Sequence, residues 1–430
     1  NPKEYNGYKV YWEDGAQLPP AEADVVASEM AKTDIFTDVK NADYDESVKN
    51  GLIRILSKET DEAYLGEVIK VAVNPDCVKQ VADEFKLVYT PFHGAGYRLV
   101  PEILRRLGYK HIICEPEQMK IDGDFPTVKN PNPEYKEGFT LAIELAKQND
   151  VDLIIGTDPD SDRTGIVLKD KSGEYVTLSG NQVGVLLTDY IITAKKLTNT
   201  MPAHPAVLKS IVTTEMARAA AEKNGVACFD TFTGFKFLAE KIKQFEKDGS
   251  HEYIFAFEES YGYLVGTHAR DKDAIVAVEM CVEMAAYYAE RGMDLYEAME
   301  ELYKQYGYYL NGTVNAQFPG EAGAKRMAQI MTGLRENPLT EIGGYKVVGM
   351  TDFGKGAEMP RVSGLQKEPA QELPAANVIE YRLEDDNKVI FRPSGTEPKV
   401  KAYLFAKGAT RAEAEAVRAK LQAAAEKALS

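Results

Sequence analysis

Twice along the chain a short apolar run, a helical stretch, a glycine and a second apolar run follow one another, and this repeated order constrains the fold most. In the first copy Lys86-Leu87-Val88-Tyr89-Thr90 reads as a strand, residues 96–107 as a helix stopped by Gly108, and His111-Ile112-Ile113-Cys114 as the next strand. The second copy runs from a strand at 206–212 through a helix at 214–223 and Gly225 to Val226-Ala227-Cys228-Phe229. Short apolar strands that alternate with glycine-ended helices predict βαβ units, whose strands lie parallel in a doubly wound sheet. Two such units predict two α/β domains of related topology. The 430 residues leave room for about three domains at roughly 150 residues each.

The last hundred or so residues change character. A helical pattern at 321–334 is followed by apolar strands at 345–349, 377–383, 388–391 and 399–405, and then by a final helix that Thr410 and Glu413 cap as a box. Strands adjacent in sequence and joined by the polar turn Glu384-Asp385-Asp386-Asn387 predict an antiparallel sheet backed by helices, an α+β module with a hinge near 316–321. At the other end, residues 5–11 alternate like a strand, and Asp14-Gly15 supplies a tight turn before residues 16–18. A two-stranded ribbon seldom stands alone in water, so the chain is expected to open inside a domain whose earlier part precedes Asn1.

Chemistry concentrates after the apolar run 151–157, in Asp158-Pro159-Asp160-Ser161-Asp162-Arg163. Three closely spaced carboxylates repel one another unless a cation neutralises them, and an all-oxygen set suits Mg²⁺. Arg163 adds a fork for a phosphate. A solvated turn is the plain alternative. An EF-hand is excluded: counting from Asp158, its glycine and glutamate positions hold Arg163 and Lys169.

Three further loops carry candidate groups. Arg392-Pro393-Ser394-Gly395-Thr396 lies between two strands of the final module and can surround a phosphate with charge, hydroxyls and backbone N–H groups, with Lys401 near enough to return to the same face. Glu258-Glu259-Ser260-Tyr261-Gly262 ends an apolar strand and could hold vicinal sugar hydroxyls, although an exposed acidic turn is as common. Thr233-Gly234-Phe235-Lys236 and Arg270-Asp271-Lys272-Asp273 each place a cation in a loop, and each alone favours a solvated turn. His93-Gly94-Ala95-Gly96 begins like a dinucleotide fingerprint, but Leu99 stands where the third glycine belongs.

A net charge of −16 argues against nucleic acid or anionic membranes as partners, so an anionic substrate must be held by local basic residues. Four dispersed cysteines without a CxxC pair read as buried free thiols, which fits a reducing cytoplasm. No run of about 18 apolar residues predicts a bilayer span.

In their order along the chain, the aspartate loop, the Glu258 loop and the Arg392 loop resemble those of the α-D-phosphohexomutases, the phosphoglucomutase and phosphomannomutase family, over almost the whole length. The opening residues 1–9 are similar to the segment that follows the phosphorylated serine in the family's T-A-S-H-N-P motif, so that serine is expected just upstream of Asn1, and the chain alone is expected not to turn over substrate. The resemblance implies a remnant of a first domain at 1–50, a second domain with the metal loop at 51–178, a third with the sugar loop at 179–315 and a mobile fourth at 316–430. It implies interconversion of glucose 1-phosphate and glucose 6-phosphate through a phosphoserine and glucose 1,6-bisphosphate, with Mg²⁺ on Asp158, Asp160 and Asp162. Phosphopentomutase and phosphomannomutase activities, and a non-catalytic fragment that binds sugar phosphates, remain as alternatives.

The same resemblance implies roles for individual residues. Arg163 supports the transferring phosphate, and Lys9 assists proton transfer at the sugar hydroxyl, where a nearby metal and cation could lower its pKa. Glu258 and Ser260 hold sugar hydroxyls. Arg392, Ser394, Gly395, Thr396, Lys401 and Lys272 grip the non-reacting phosphate, and Thr233, Gly234 and Lys236 face the sugar. Proline and serine in the metal loop, where many relatives carry glycines, alter stiffness more than ligand identity.

Overall fold

A computed structural model describes residues 3–4, 7–355, 357–359, 371–373, 375–394 and 398–430. Along the chain come α1 (Pro20–Met30), α2 (Tyr44–Lys49), α3 (Lys58–Ile69), α4 (Asp76–Val81), β1 (Lys86–Thr90), α5 (Gly96–Leu107), β2 (His111–Cys114), α6 (Thr140–Asn149), β3 (Leu153–Thr157), β4 (Thr164–Lys169), β5 (Tyr175–Thr177) and α7 (Gly180–Leu197). Then follow β6 (Pro205–Ser210), α8 (Glu215–Lys223), β7 (Ala227–Thr231), α9 (Phe235–Asp248), β8 (Glu252–Glu258), β9 (Gly262–Leu264), α10 (Ala274–Ala289) and α11 (Leu295–Tyr306). The last part holds β10 (Tyr308–Gln317), α12 (Gly320–Glu336), β11 (Glu341–Ile342), β12 (Tyr345–Asp352), β13 (Ala357–Met359), β14 (Gln371–Leu373), β15 (Ile379–Leu383), β16 (Lys388–Pro393), β17 (Lys399–Gly408) and α13 (Arg411–Leu429). Among the described residues no helix is long and apolar enough to cross a membrane.

Two compact units divide these elements: residues 1–178, 234–248 and 261–292, and residues 179–233, 249–260 and 293–430. In the first unit a five-stranded sheet runs β2-β1-β3-β4-β5. β1 lies parallel between β2 and β3, as the βαβ reading requires, and β4 and β5 extend the sheet antiparallel. Gly108 ends α5 in the left-handed region at φ 106°, which a residue without Cβ adopts freely. The opening ribbon is shorter than expected: a single bridge joins Tyr11 to Gln17 across the turn at Gly15, and residues 5–6 lie outside the described set.

The second unit contains the other parallel set, with β6 between β7 and β8. It also contains a six-stranded antiparallel sheet in the order β10-β17-β16-β15-β12-β11. β10 pairs with β17 through all ten residues, from Tyr308 opposite Gly408 to Gln317 opposite Lys399, so residue 316 falls inside a strand. Val389, Phe391, Val400, Ala402 and Leu404 point into the core shared with α12 and α13, whose Met331, Leu334, Val417 and Leu421 complete it. Lys388, Ile390, Arg392, Lys401 and Tyr403 therefore share the opposite face. The final helix is capped as expected by Thr410, whose side chain accepts from the Glu413 N–H, while the Glu413 carboxylate accepts from the Ala409 N–H instead.

Helix α10 of the first unit buries two glutamates one turn apart. Glu283 Oε1 accepts from the Val73 and Asn74 N–H groups, whereas neither oxygen of the fully buried Glu279 has a hydrogen-bond partner. Burial first, then the Glu283 and Asp273 charges, pushes the Glu279 pKa well above the carboxylate range; Tyr64, Tyr109, Cys77, whose thiol donates to the Glu283 carbonyl, and His268, 3.2 Å from Asp273, also lie close to this cluster. Because the folded state holds this proton more tightly than the unfolded chain, the contribution of Glu279 to stability is full below pH 4.5 and falls as pH rises toward the folded pKa. Replacing Glu279 with Met removes both the proton uptake and the unpaired polar group. Urea denaturation should show a gain of about 1–3 kcal/mol at pH 8 and a flatter pH profile than the parent.

Candidate active site

The metal loop is a closed turn. Asp158 Oδ1 accepts from the N–H groups of Asp162 and Arg163, both at 2.9 Å, and the Ser161 N–H donates to the Asp158 carbonyl at 3.0 Å. Ser161 takes a left-handed φ of 57°, which turns the chain sharply enough to bring Asp158, Asp160 and Asp162 to one side. One carboxylate oxygen from each lies within 4.8 Å of the others. Burial, then Asp162 and Asp160, raises the Asp158 pKa well above normal. Asp162 shifts down: burial works against ionisation, but Lys272 and Lys9 more than offset it. Three oxygen donors this close, one of them reluctant to ionise beside the others, fit a hard divalent cation.

Gly94 and Gly96, just before and at the start of α5, allow this loop to sit where it does. A Cβ on Gly94 would lie 2.2 Å from the Pro159 Cα, and one on Gly96 would meet Tyr89 Oη and Thr157 Oγ1. The Ala95 N–H also donates to the Pro159 carbonyl at 2.8 Å. The half fingerprint in the sequence thus marks close backbone approach to the aspartate loop rather than a dinucleotide.

Lys9 extends from the opening ribbon, and its Nζ lies 2.6 Å from Asp162 Oδ2 and 2.9 Å from Asp160 Oδ2. Burial lowers its pKa, but attraction to Asp162 and hydrogen bonds to both aspartates outweigh this and hold it above the usual lysine value, opposite to the downward shift expected for a lysine beside cations. Asp271 fixes the ribbon: it accepts from Tyr11 Oη at 3.1 Å, Gln17 Nε2 at 2.7 Å and Lys272 Nζ at 2.8 Å. Lys272 Nζ is also 3.4 Å from Asp162 Oδ2 and sits over the Phe235 ring, with its side chain only 10% exposed. The solvated-turn reading of residues 270–273 is therefore wrong. Gly262 makes room for this lysine, because a Cβ there would stand 2.2 Å from the Lys272 Cδ. Arg163 keeps its guanidinium Nε 3.7 Å from Asp162 and 3.9 Å from Asp158.

Gly234 (φ 115°) leads into α9, and Lys236 lies in the helix's first turn with Nζ 5.1 Å from the Phe237 ring centroid. Tyr261 adopts φ 69°, uncommon for an aromatic residue, and its carbonyl accepts from the Thr164 N–H directly after the metal loop.

In the second unit Glu258 ends β8 nearly buried, and Ser260 and Thr233 are half-buried. Arg392 and Lys401 face each other across β16 and β17. Burial raises the Tyr403 pKa, Glu259 and Glu258 add to the rise, and the charge of Arg392 and its hydrogen bond to the phenol oppose it; this puts the Arg392 strand beside the Glu258 loop. Ser394 donates its N–H to the Lys399 carbonyl at 2.8 Å. Gly395 and Thr396 lie outside the described residues. Sequence reasoning missed Asp271, Tyr11, Gln17, Glu259 and Tyr403 as organisers, and no local pattern marks them; the paired glycines at 94 and 96 signalled a different contact, their close approach to the aspartate loop.

Comparison with known proteins decides the family. Residues 1–35, 62–173 and 179–306 match the phosphoglucomutase/phosphomannomutase alpha/beta/alpha domains I, II and III. The phosphoglucomutase of Staphylococcus saprophyticus is 35% identical over 405 residues, covering 94% of this chain and 71% of that protein. The chain belongs to the phosphoglucomutase/phosphomannomutase family. The phosphoglucomutase of Staphylococcus aureus strain MSSA476 is likewise 35% identical, over 95% of this chain and 71% of its own length. Among solved structures, Paramecium parafusin, a phosphoglucomutase, superposes with a TM-score of 0.60 at 18% identity, covering 86% of this chain and 62% of its own. The Aspergillus fumigatus N-acetylphosphoglucosamine mutase in complex with GlcNAc-6P and magnesium gives 0.53 at 15% identity, over all of this chain and 88% of its own. At those identities the structures speak for the mutase fold.

Proposed function

We propose that the protein is a Mg²⁺-dependent phosphoglucomutase that interconverts glucose 1-phosphate and glucose 6-phosphate through a phosphoserine and glucose 1,6-bisphosphate. The observation that carries this reading is the closed turn bringing one oxygen each of Asp158, Asp160 and Asp162 within 4.8 Å, in a chain 35% identical to phosphoglucomutases. The four-domain division at residues 50, 178 and 315 and residence in the cytoplasm belong to the same reading, the latter supported by four cysteines that are not in disulfides.

Asp158, Asp160 and Asp162 hold Mg²⁺, which when bound offsets negative charge on the transferring phosphoryl oxygens. Arg163 supports the same phosphate. Lys9 moves the proton of the attacking sugar hydroxyl, and Asp271 keeps the ribbon carrying it in place. Glu258 and Ser260 accept from and donate to sugar hydroxyls, with Thr233, Gly234 and Lys236 against the ring. Arg392, Ser394, Gly395, Thr396 and Lys401 hold the phosphate that is not reacting, and Lys272, 3.4 Å from Asp162 Oδ2, acts at the aspartate loop rather than in that grip. The bisphosphate exchanges its ends between half-reactions, so one set of groups serves both orientations. Closure of the last domain excludes water, which competes for the phosphoryl group.

The phosphoserine belongs to the T-A-S-H-N-P motif whose last two residues match Asn1-Pro2, so the assay uses the protein carrying that motif complete. With Mg²⁺ and a trace of glucose 1,6-bisphosphate it should convert glucose 1-phosphate faster than mannose 1-phosphate or ribose 1-phosphate. Binding of these compounds without any product would leave only the sugar-phosphate-binding alternative. In the same assay Arg392→Ala should raise KM about 10- to 100-fold while the phosphoserine still forms, since a charge-assisted phosphate contact is lost and the metal loop is untouched. An unchanged KM would remove Arg392 from the phosphate grip.

A further inference from the structure

The turn between β6 and α8 makes contacts at both ends that the reaction scheme above does not use. On one side the buried hydroxyls of Ser210 and Thr213 donate to Glu259 Oε2 at 3.1 and 3.3 Å, and the Glu259 N–H donates back to Thr213 Oγ1 at 3.2 Å. Glu259 thereby fixes the loop in which its neighbours Glu258 and Ser260 stand. On the other side Glu215 Oε1 accepts from Lys388 Nζ at 2.8 Å, the first residue of β16. Lys388 and Arg392 lie on the same face of that strand, about 13 Å apart at roughly 3.3 Å per residue.

Glu215 is held rigidly. Lys209 Nζ also reaches its Oε1 at 3.2 Å, and Arg218 Nε donates to its Oε2 at 3.0 Å. Lys209, fully buried, pairs with Asp230 Oδ1 at 2.7 Å, and Arg218 bridges to the same aspartate. A surface ion pair would contribute little, but a partly buried network with several partners per charge permits few alternative geometries. Six residues, 210–215, thus set the position of both the sugar loop and the strand that bears Arg392.

We propose that the Ser210–Glu215 turn is a gauge that, once the last domain has closed, fixes the separation between the hydroxyl-binding and phosphate-binding groups, making Ser210, Thr213, Glu215 and Lys388 positioning residues that select for the length of a hexose phosphate. This rests on the phosphoglucomutase reading for the roles of Glu258 and Arg392. It makes specificity a property of the distance between two loops as well as of the groups they carry.

Two substitutions loosen the two ends separately: Thr213→Val on the sugar side and Lys388→Met on the phosphate side. Each should raise KM for glucose 1-phosphate about tenfold and leave kcat within about threefold, because binding geometry is lost rather than chemistry. Each should also weaken glucose 1,6-bisphosphate in calorimetry by a similar factor and leave the Mg²⁺ dissociation constant unchanged. Lys388→Arg should restore the parent values. A merely structural role would lower the melting temperature and the active fraction with KM unmoved. If Lys388→Met does not fold, Glu215→Gln replaces it, since Lys209 and Arg218 keep Asp230 and Lys388 keeps Glu380 at 3.7 Å. Unchanged KM and bisphosphate affinity in folded Thr213→Val together with folded Lys388→Met or Glu215→Gln overturn the gauge. A parent protein that binds the bisphosphate but makes no glucose 6-phosphate overturns the catalytic reading instead, and the calorimetric comparison still decides the gauge.

Discussion

Asp158→Asn is expected to abolish the stabilisation that Mg²⁺ confers and to lower turnover about a thousandfold, while leaving the metal-free protein as stable as the parent or more so. The two effects have opposite signs for one reason. The three carboxylates are crowded, and Asp158 is the one whose charge burial and its neighbours oppose most. An asparagine keeps an oxygen for the two backbone N–H groups that close the turn and removes one charge from the repelling set. The same charge is what a divalent cation needs. Three decades in rate correspond to about 4 kcal/mol, within what a Lewis acid contributes at a transferring phosphoryl group. Thermal melts with and without Mg²⁺, beside the mutase assay, separate the terms. A metal-free variant that melts well below the parent would show that the charge itself holds the turn together.

Gly94→Ala is expected to cost about 2–4 kcal/mol of stability and, in whatever fraction folds, to weaken Mg²⁺ at least tenfold. The added methyl would sit 2.2 Å from the Cα of Pro159 and 2.6 Å from its carbonyl oxygen. Those are backbone atoms of the metal loop, so no side chain can rotate away and the loop itself must move. Gly66→Ala provides the control. It lies within α3 with nothing within 4 Å of the new carbon, and should stabilise by up to about 1 kcal/mol through helix propensity alone. Urea midpoints and Mg²⁺ calorimetry on the two variants test the contrast. Equal effects of the two alanines would mean that the loop is softer than the close approach implies.

What could be read from the sequence was whatever depends on near neighbours. The strands at 86–90 and 111–114, the helix ending at Gly108 and the antiparallel character of the last module follow from apolar periodicity and turn chemistry within about ten residues, and the structure has them. The aspartate triplet was legible because its carboxylates stand on alternate residues. Lys272 was not: its burial depends on a glycine ten residues earlier and an aromatic ring 37 positions away, neither marked by local pattern. Asp271 and Glu259 failed to stand out for the same reason. An acidic residue in a loop looks solvated until the residues that donate to it, 254–260 and 46–49 positions distant, are brought alongside. The ribbon at the start was overestimated because alternation predicts an extended chain but not how much of it finds a partner.

The pairing of β10 with β17 has a consequence for how the polypeptide matures. Its two strands are separated by more than eighty residues, so during synthesis the earlier one waits with its backbone groups uncovered until the whole intervening stretch and β17 itself have been made. The sheet thus closes late relative to its first strand, and a stop anywhere between β10 and Lys399 releases a product with an open strand edge, the kind of surface that chaperones bind and aggregates grow from.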